Sequence, residues 1–282
     1  MEEIPPVPDD NLELGNLSHS NSTPVFLIGC ARSGTSILGE AVAAHPRVAY
    51  LFEASAIWNT LVPERPDHRL AEADASASVA RTIDTALQKA RRALHGDVLV
   101  EKNPKHVIRI PFLNAVYPDA RFLHIIRDGR DTVASLMFRN RGERWGHLEI
   151  PGWQELLQRH PADNHVRCAH QWRDAVTMAQ DDGRALPPSR YHEVRYEELL
   201  QNAAGVMAGV LQFLELPPHP EVNRFLPRIQ DLTEGSYHAK KQVRHYVENH
   251  SRRVGRYKEN LTSQQVKEVE AVCGELLRRL GY

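Results

Sequence analysis

The sequence predicts an α/β fold in which a central, mostly parallel sheet is flanked by helices in three layers. From residue 24 onward, short apolar runs of strand length alternate with longer amphipathic or Ala-rich segments, which is the pattern of repeated β-α-β units. The first apolar run, VFLIG from Val25, leads directly into a turn bounded by Gly29 and Gly34 and then into a helix. These two observations place a parallel strand at the start of the fold.

Each later element has a local cause in the sequence. The helix after Gly34 is expected to close near Pro46, because proline ends helices. The next strand stops at Asn103-Pro104, and the last helix begins near Thr262, a residue type that favours helix N-termini. The predicted order after the first helix is a helix over 71–94, a strand over 97–104, a helix over 105–117, a strand over 121–127, a helix over 128–139, a helix over 165–182, a strand over 191–197 with a helix after it, and an amphipathic helix over 261–280.

Two segments between these elements show little periodicity. Residues 139–164 contain Gly, Pro and two tryptophans, and are predicted to form an ordered loop or lid. Residues 240–258 carry seven Lys or Arg against a single Glu and are predicted to form a basic loop. Arg130 and Asp131 fall in the first turn of a helix, where charged residues are common, so we expect both to be surface charges.

Composition indicates one folded domain with an acidic arm. The 282 residues carry a net charge of −1, which offers no basic field for nucleic acid. We predict a single domain over 24–282. Residues 1–23 are predicted to be a disordered arm, since five acidic and no basic side chains stand among the first 24 residues. No apolar run has the length of a signal peptide core or a membrane span, which predicts a cytoplasmic protein without a membrane span.

The three cysteines are Cys30, Cys168 and Cys273. Their odd number, their wide spacing and the lack of a CxxC pair argue against a disulfide framework and against a zinc site. Cys30 lies in the glycine-bounded turn, where a reactive role is conceivable, but a small buried residue is the favoured interpretation. We therefore predict no metal.

The turn between Gly29 and Gly34 has the spacing of a phosphate-binding loop. Its glycines are five positions apart, as in GxxxxGK[ST], so N–H groups of the turn and of the following helix would face a phosphate or an isosteric sulfate. Thr35 stands where nucleotide triphosphatases have lysine, which argues against ATP or GTP. Arg32, inside the turn, can supply the positive charge instead. The predicted fold is thus P-loop-like without the usual lysine.

Two sequence blocks resemble the sulfotransferases that use 3′-phosphoadenosine-5′-phosphosulfate (PAPS). ARSGTS, residues 31–36, resembles the loop that holds the 5′-phosphosulfate in that family. RFLHIIRDGRDTVASL, residues 121–136, resembles the strand and helix whose arginine and serine hold the 3′-phosphate, which implies this role for Arg127 and Ser135. The resemblance implies 5′ contacts from Arg32, Ser33, Gly34, Thr35 and Ser36.

Among these enzymes, the motifs are most similar to those of the tyrosylprotein sulfotransferases. LVEKNPK resembles their K-[DN]-P setting, in which a lysine touches the bridging oxygen, and this implies Lys102. The stretch from the loop through LFEASAIW resembles the region that ends in their glutamate base, and this implies Glu53. The chain departs from that group at Asn103, where Asp is usual, and we expect neither their membrane anchor nor their luminal cysteines.

Two further blocks extend the resemblance. RYEELLQNAAGVMAGVLQFLEL, from Arg195, resembles the segment in which a tyrosine can contact the nucleotide; this implies Tyr196, although a packed core tyrosine is an equal alternative. SRRVGRYKENLT, from Ser251, resembles the basic loop that closes over PAPS. Its candidate nucleotide-binding residues are Arg252, Arg253, Arg256 and Lys258, and the sequence leaves open which of them faces the ligand.

The resemblance implies transfer of a sulfuryl group from PAPS to an acceptor hydroxyl, without metal. Glu53 would take the acceptor proton, while Arg32 and Lys102 would neutralise developing negative charge. A histidine is the competing base, with His106 and His124 nearest by sequence. A phenol or tyrosine acceptor is favoured; a sugar, glycolipid or natural product is the alternative.

The sequence assigns acceptor specificity only to two stretches, residues 53–80 and 139–164, and it gives no oligomeric state. Two other classes of protein keep the same phosphate loop. A P-loop kinase would need a lysine at Thr35 and magnesium ligands. A non-catalytic nucleotide-binding protein would need neither Glu53 nor Lys102.

Overall fold

The computed structural model describes residues 23–54, 57–58, 66–139, 148–229 and 251–282. The predicted acidic arm therefore lies outside the described residues except for Thr23. The same holds for parts of the predicted lid, of the basic loop and of the first specificity stretch. The statements below concern the described residues.

The sheet within these ranges contains five parallel strands in the order β2-β3-β1-β4-β5. The strands are β1 Val25–Ile28, β2 Val48–Phe52, β3 Val98–Lys102, β4 Arg121–Ile126 and β5 Tyr191–Arg195. Helices cover both faces, so the predicted P-loop-like, three-layer α/β fold is confirmed. In a parallel sheet all carboxyl ends lie along one edge, which is where ligands bind in such folds.

The α-helices follow in chain order. They are α1 Thr35–Ala43, α2 Ala77–Leu94, α3 Ile110–Val116, α4 Gly129–Arg139, α5 Trp153–Arg159, α6 Asn164–Arg184, α7 Tyr196–Gln201, α8 Ala203–Phe213, α9 Pro220–Ile229, α10 Tyr257–Asn260 and α11 Ser263–Arg279. Short 3₁₀ turns occupy Glu72–Asp74, Pro104–Ile108 and Ser251–Arg253. Thr262 caps α11 as expected, since its side chain accepts a hydrogen bond from the Gln265 N–H.

Several predicted boundaries were wrong. Strand β2 was missed, because VAYLF is short and follows closely on the first helix. The helix expected from residue 71 begins only at Ala77, because Ser76 accepts the N–H of Val79 and sets the helix start there. Part of the predicted lid forms a helix, α5. Helix α9 was not predicted.

Alternation along the strands divides the core into two layers. Phe26 and Ile28 of β1 point into one buried cluster with Trp172. Leu27 of β1 and Leu123 of β4 point into the other. All five are almost completely buried. Since β1 is central and apolar on both faces, the glycine-bounded turn that follows it has a rigid base.

Candidate active site

The turn after β1 adopts a conformation that glycine makes possible. Gly34 has φ +98°, and a Cβ at this position would lie 2.4 Å from the ring of Tyr196. The Ser33 N–H donates to the Cys30 carbonyl at 3.0 Å, which tightens the turn. Helix α1 begins directly afterwards at Thr35. Its first N–H groups have no acceptor within the helix and are therefore available to a ligand at the loop. The geometry is that of an anion-binding loop.

Arg127, at the end of β4, links this loop to two other parts of the chain. Its guanidinium donates to the Arg32 carbonyl at 3.1 Å and to the Arg253 carbonyl. It also lies over the ring of Tyr196, 4.8 Å from the centroid. Arg127 is buried, and its Nε has no hydrogen-bond partner in the described part of the chain. Nε is therefore a buried donor without an acceptor, beside the phosphate loop.

Ser135 lies on α4, close to the same loop. Its hydroxyl accepts a hydrogen bond from Nε of Arg32 at 3.2 Å. The structure thus brings Arg32 into contact with both Arg127 and Ser135, although the sequence assigned Arg32 to one end of the nucleotide and the other two residues to the opposite end. Tyr196 is also present, but it is buried, and its ring packs against Gly34 and Arg127. This geometry is that of the packed tyrosine which the sequence left as an alternative.

Glu53 and Lys102 meet at the carboxyl ends of β2 and β3. Phe52 pairs with Lys102 in the parallel register, and the Glu53 N–H donates to the Lys102 carbonyl at 2.8 Å. Their side chains form an ion pair. The side chain of Lys102 is 2% exposed and that of Glu53 is 42% exposed. The pair therefore has a buried ammonium and a solvent-facing carboxylate.

The environment lowers the pKa of Lys102. Burial is the main cause, the nearby Arg32 acts in the same direction, and Glu53 opposes both. The ammonium also lies 4.2 Å from the centroid of the Phe52 ring, a distance at which the aromatic face favours a cation. Glu53 thus helps to keep Lys102 protonated.

Sequence reasoning missed a third ionisable group, Glu40 on α1. Its side chain is buried, and burial raises its pKa to about 7, with Lys102 and Arg228 opposing the shift. A signal was present, because a glutamate inside the otherwise apolar run ILGEAVAA must be buried if that helix packs against the sheet. Glu40 lies close enough to Lys102 for the two groups to interact electrostatically.

The two candidate histidines are fully buried. His106 lies 3.0 Å from Oε2 of Glu101, and Oε1 of the same carboxylate accepts the indole N–H of Trp58 at 3.1 Å. Glu101 precedes Lys102 in β3, so the two side chains point to opposite faces of the sheet. His124 contacts the hydroxyl of Tyr191 at 2.6 Å. Burial lowers the pKa of both histidines, that of His124 to about 4.

The described end of the basic loop lies against α4. Arg252 and Lys258 are exposed, whereas Arg253 and Arg256 are partly buried. The contact between the Arg253 carbonyl and Arg127 places this segment next to the phosphate loop. Residues 240–250 of the predicted loop lie outside the described residues.

One expectation about α4 was wrong. Asp131 is not a surface charge: its carboxylate is buried and accepts the N–H groups of Gly255 at 2.8 Å and of Tyr257 at 2.9 Å. The N–H donors come from residues far along the chain, so the local sequence gave no sign of them. Arg130 is partly exposed, pairs with Asp128 and Glu270, and lies 4.6 Å from the Tyr257 ring centroid.

The cysteines are buried free thiols. Burial raises the pKa of Cys30 to about 12, so its thiolate is scarce and the packing interpretation holds. No group of His, Cys, Asp and Glu among the described residues has a geometry that could hold a metal ion. Likewise, none of the helices in these ranges is long and apolar enough to cross a membrane.

The chain is similar to known proteins over most of its length. Residues 24–221 match the sequence model of a family described as "Sulfotransferase family". A protein-tyrosine sulfotransferase of Drosophila melanogaster is 27% identical over 222 residues, which are 74% of this chain and 41% of that protein. The omega-hydroxy-beta-dihydromenaquinone-9 sulfotransferase Stf3 of Mycobacterium bovis is 29% identical over 189 residues, or 65% of this chain and 41% of that protein. The chain spans about half the length of the curated relatives it matches.

A solved structure shares the fold. Mouse sulfotransferase SULT7A1, crystallised in complex with PAP, superposes with a TM-score of 0.53 at 13% identity, covering 94% of this chain and 88% of that one. At this identity the likeness concerns the fold alone. It extends well beyond the region matched by the family model, into the C-terminal part of the chain.

Proposed function

The chain belongs to the sulfotransferase family, and on that premise we propose that it is an enzyme that transfers a sulfuryl group from PAPS to an acceptor hydroxyl. The observation that carries this proposal is the ion pair between Glu53 and Lys102 beside the phosphate loop. A nucleotide-binding protein without catalysis has no need of a buried lysine paired with a solvent-facing carboxylate at this edge of the sheet. A kinase would need a lysine where Thr35 stands.

The residues around the loop fit a nucleotide with phosphate groups at both ends. The buried Ser33 hydroxyl and Nε of Arg127 have no hydrogen-bond partners among the described residues, and such groups suit anionic ligands. We assign the 3′-phosphate to Arg127 and Ser135. The 5′-phosphosulfate is assigned to the loop and the start of α1, with Arg32, Ser33, Gly34, Thr35 and Ser36. Tyr196 supports the loop by packing, and the segment with Arg252, Arg253, Arg256 and Lys258 covers the nucleotide.

The reaction is an in-line displacement at sulfur. The acceptor oxygen forms the new S–O bond while the S–O bond to the 5′-phosphate breaks, and the products are a sulfate ester and adenosine 3′,5′-bisphosphate. Glu53 takes the acceptor proton, since its carboxylate faces solvent where an acceptor can approach. Lys102 and Arg32 carry positive charge and neutralise the negative charge that develops on the leaving oxygen and on the transferred group. The burial of His106 and His124 supports Glu53 as the base.

The acceptor is proposed to be a phenol or a peptide tyrosine. The similarity to a protein-tyrosine sulfotransferase supports this class. The similarity to Stf3 keeps an aliphatic alcohol on a larger apolar molecule as a second candidate. We also propose a cytoplasmic location, which the three buried free cysteines support because reducing compartments keep thiols unpaired.

The direct test is a transfer assay with ³⁵S-labelled PAPS and a panel of phenols, tyrosine peptides, alcohols and sugars. We expect labelled product from at least one phenolic acceptor, and none from Lys102→Ala under the same conditions. A parallel thermal-shift measurement should show stabilisation by adenosine 3′,5′-bisphosphate and none by ATP with magnesium. Stabilisation by ATP-magnesium alone would contradict the proposal and favour a kinase.

A further inference from the structure

We propose that Asp131 is a positioning residue that holds the segment 251–260 against the nucleotide site. This inference rests on the proposed function, because it concerns the site assigned above to PAPS. Asp131 does not touch the loop itself. It acts through Arg127 and through the backbone of the segment.

The first argument is the pair of hydrogen bonds that the carboxylate accepts. Oδ2 of Asp131 receives the Gly255 N–H at 2.8 Å, and Oδ1 receives the Tyr257 N–H at 2.9 Å. Tyr257 is the first residue of α10, and no side chain of Arg256, the residue before it, caps this helix. Asp131 therefore caps α10 from another helix, 126 residues away along the chain.

The second argument is burial. The Asp131 side chain is 1% exposed, and a buried carboxylate is costly unless it is paired and hydrogen-bonded. Its compensation comes from the two N–H groups and from Arg127, whose guanidinium lies 3.7 Å away. A carboxylate at the surface would keep its hydration. The buried position of Asp131 therefore costs desolvation free energy, which these contacts must offset. Gly255 permits the turn, since its φ is +73°.

The third argument connects Asp131 to the ligand. Arg127 lies four residues before Asp131 and donates to the carbonyls of both Arg32, in the phosphate loop, and Arg253, in the segment. One guanidinium thus bridges loop and segment, and one carboxylate faces that guanidinium and fixes the segment's backbone. Stacking of Arg130 on Tyr257 holds the same region from a second direction. Loss of Asp131 would remove the backbone contacts at Gly255 and Tyr257 and leave the contact between Arg127 and the Arg253 carbonyl.

If Asp131 were only a structural cap, its loss would affect folding but not nucleotide affinity. A positioning role predicts that the segment contacts the bound nucleotide, so that each stabilises the other. The two roles differ in hydrogen exchange, in nucleotide affinity and in the separate effects on KM and kcat. These three readouts form the test.

The experiment compares the full chain with Asp131→Asn, with the conservative variant Asp131→Glu, and with Asp182→Asn as a matched control. Asp182 is a partly buried aspartate that pairs with Arg69, and neither residue belongs to the proposed nucleotide site. In the wild type, adenosine 3′,5′-bisphosphate should slow exchange of the peptide 251–260. In Asp131→Asn the bisphosphate affinity should fall at least about tenfold, given the loss of charge-assisted hydrogen bonds. Its KM for PAPS should rise by a similar factor while kcat at saturation stays within about twofold.

The outcomes separate the two proposals. If the wild type does not bind the bisphosphate at all, the proposed function fails. If the wild type binds it but exchange of 251–260 is unchanged, the inference about Asp131 is overturned and the function stands. This wild-type measurement decides the matter even if Asp131→Asn does not fold. Equal affinity in Asp131→Asn and Asp182→Asn would also overturn the inference, whereas intermediate affinity in Asp131→Glu supports it.

Discussion

Glu53 and Lys102 form an ion pair although 49 residues separate them in the sequence. Neighbouring parallel strands bring them together, since Phe52 lies opposite Lys102 in the β2–β3 register. The side chain of Lys102 is buried, whereas that of Glu53 is partly exposed, so the two can take different roles in the proposed reaction. In the proposed reaction Lys102, which is buried, serves the leaving group, while Glu53 remains accessible to an incoming acceptor.

We predict that Arg127→Ala weakens binding of adenosine 3′,5′-bisphosphate at least about tenfold, because charge-assisted hydrogen bonds to a phosphate are each worth roughly 1.5 to 3 kcal/mol. AMP lacks the 3′-phosphate, so its affinity should hardly change. Isothermal calorimetry with both ligands measures the difference. Arg121→Ala is the control, since Arg121 stands at the other end of the same strand and pairs with Glu215. Equal losses of affinity for both ligands would show that Arg127 does not bind the 3′-phosphate.

Chelation should leave turnover unchanged. Thr35 occupies the place of the phosphate-loop lysine, and the described residues contain no cluster that could hold a metal ion. In the proposed mechanism Arg32 and Lys102 neutralise the charge on the transferred group instead. We expect the same initial rate before and after dialysis against EDTA. Activity lost on chelation and restored by magnesium would overturn the metal-free mechanism.

Glu40 should make the protein's stability depend on pH. Burial raises its pKa from an ordinary value of 4.5 to about 7, so the folded protein binds the proton more tightly than the unfolded chain. The stability that the protonated form provides is complete below pH 4.5 and is lost as the pH rises to about 7, a total of up to about 3 kcal/mol. Glu40→Gln should escape this loss.

Chemical denaturation at pH 5 and pH 8 tests this prediction. The free energy of unfolding of Glu40→Gln should exceed that of the wild type by more at pH 8 than at pH 5. Glu72→Gln is the control, because Glu72 is exposed in a short 3₁₀ turn. It should follow the wild type at both pH values. A constant difference between Glu40→Gln and the wild type would show that Glu40 is ionised throughout.

Local motifs allowed the phosphate loop, the strand before Arg127 and the position of Lys102 to be predicted from the sequence. Each depends on residues within a few positions of one another, so a spacing pattern carries the information. Asp131 could not be predicted, because its acceptors are satisfied by backbone groups of Gly255 and Tyr257. Strand β2 was missed for a related reason: VAYLF gains its place only by pairing with β3.

The last prediction tests the base. Glu53→Gln keeps the shape of the side chain but removes its basicity, so turnover should fall by about 10²- to 10⁴-fold, as expected for loss of a general base. It also removes the negative charge that opposes the effect of burial on the pKa of Lys102. Because the carboxylate faces solvent, where the acceptor is proposed to bind, the bisphosphate affinity should stay within a few fold of the wild type. Single-turnover rates and calorimetry on one preparation measure both effects.

Glu215→Gln is the matched control for this variant. Like Glu53, Glu215 has a positive φ and pairs with a basic side chain, in this case Arg121. Any general effect of losing such a pair should therefore appear in both variants as a small change in melting temperature. A large loss of turnover in Glu53→Gln alone, with the bisphosphate affinity retained, supports Glu53 as the base. Near-normal turnover in a folded Glu53→Gln protein would instead transfer the role to a histidine, and His106 would then have to leave its buried contact with Glu101.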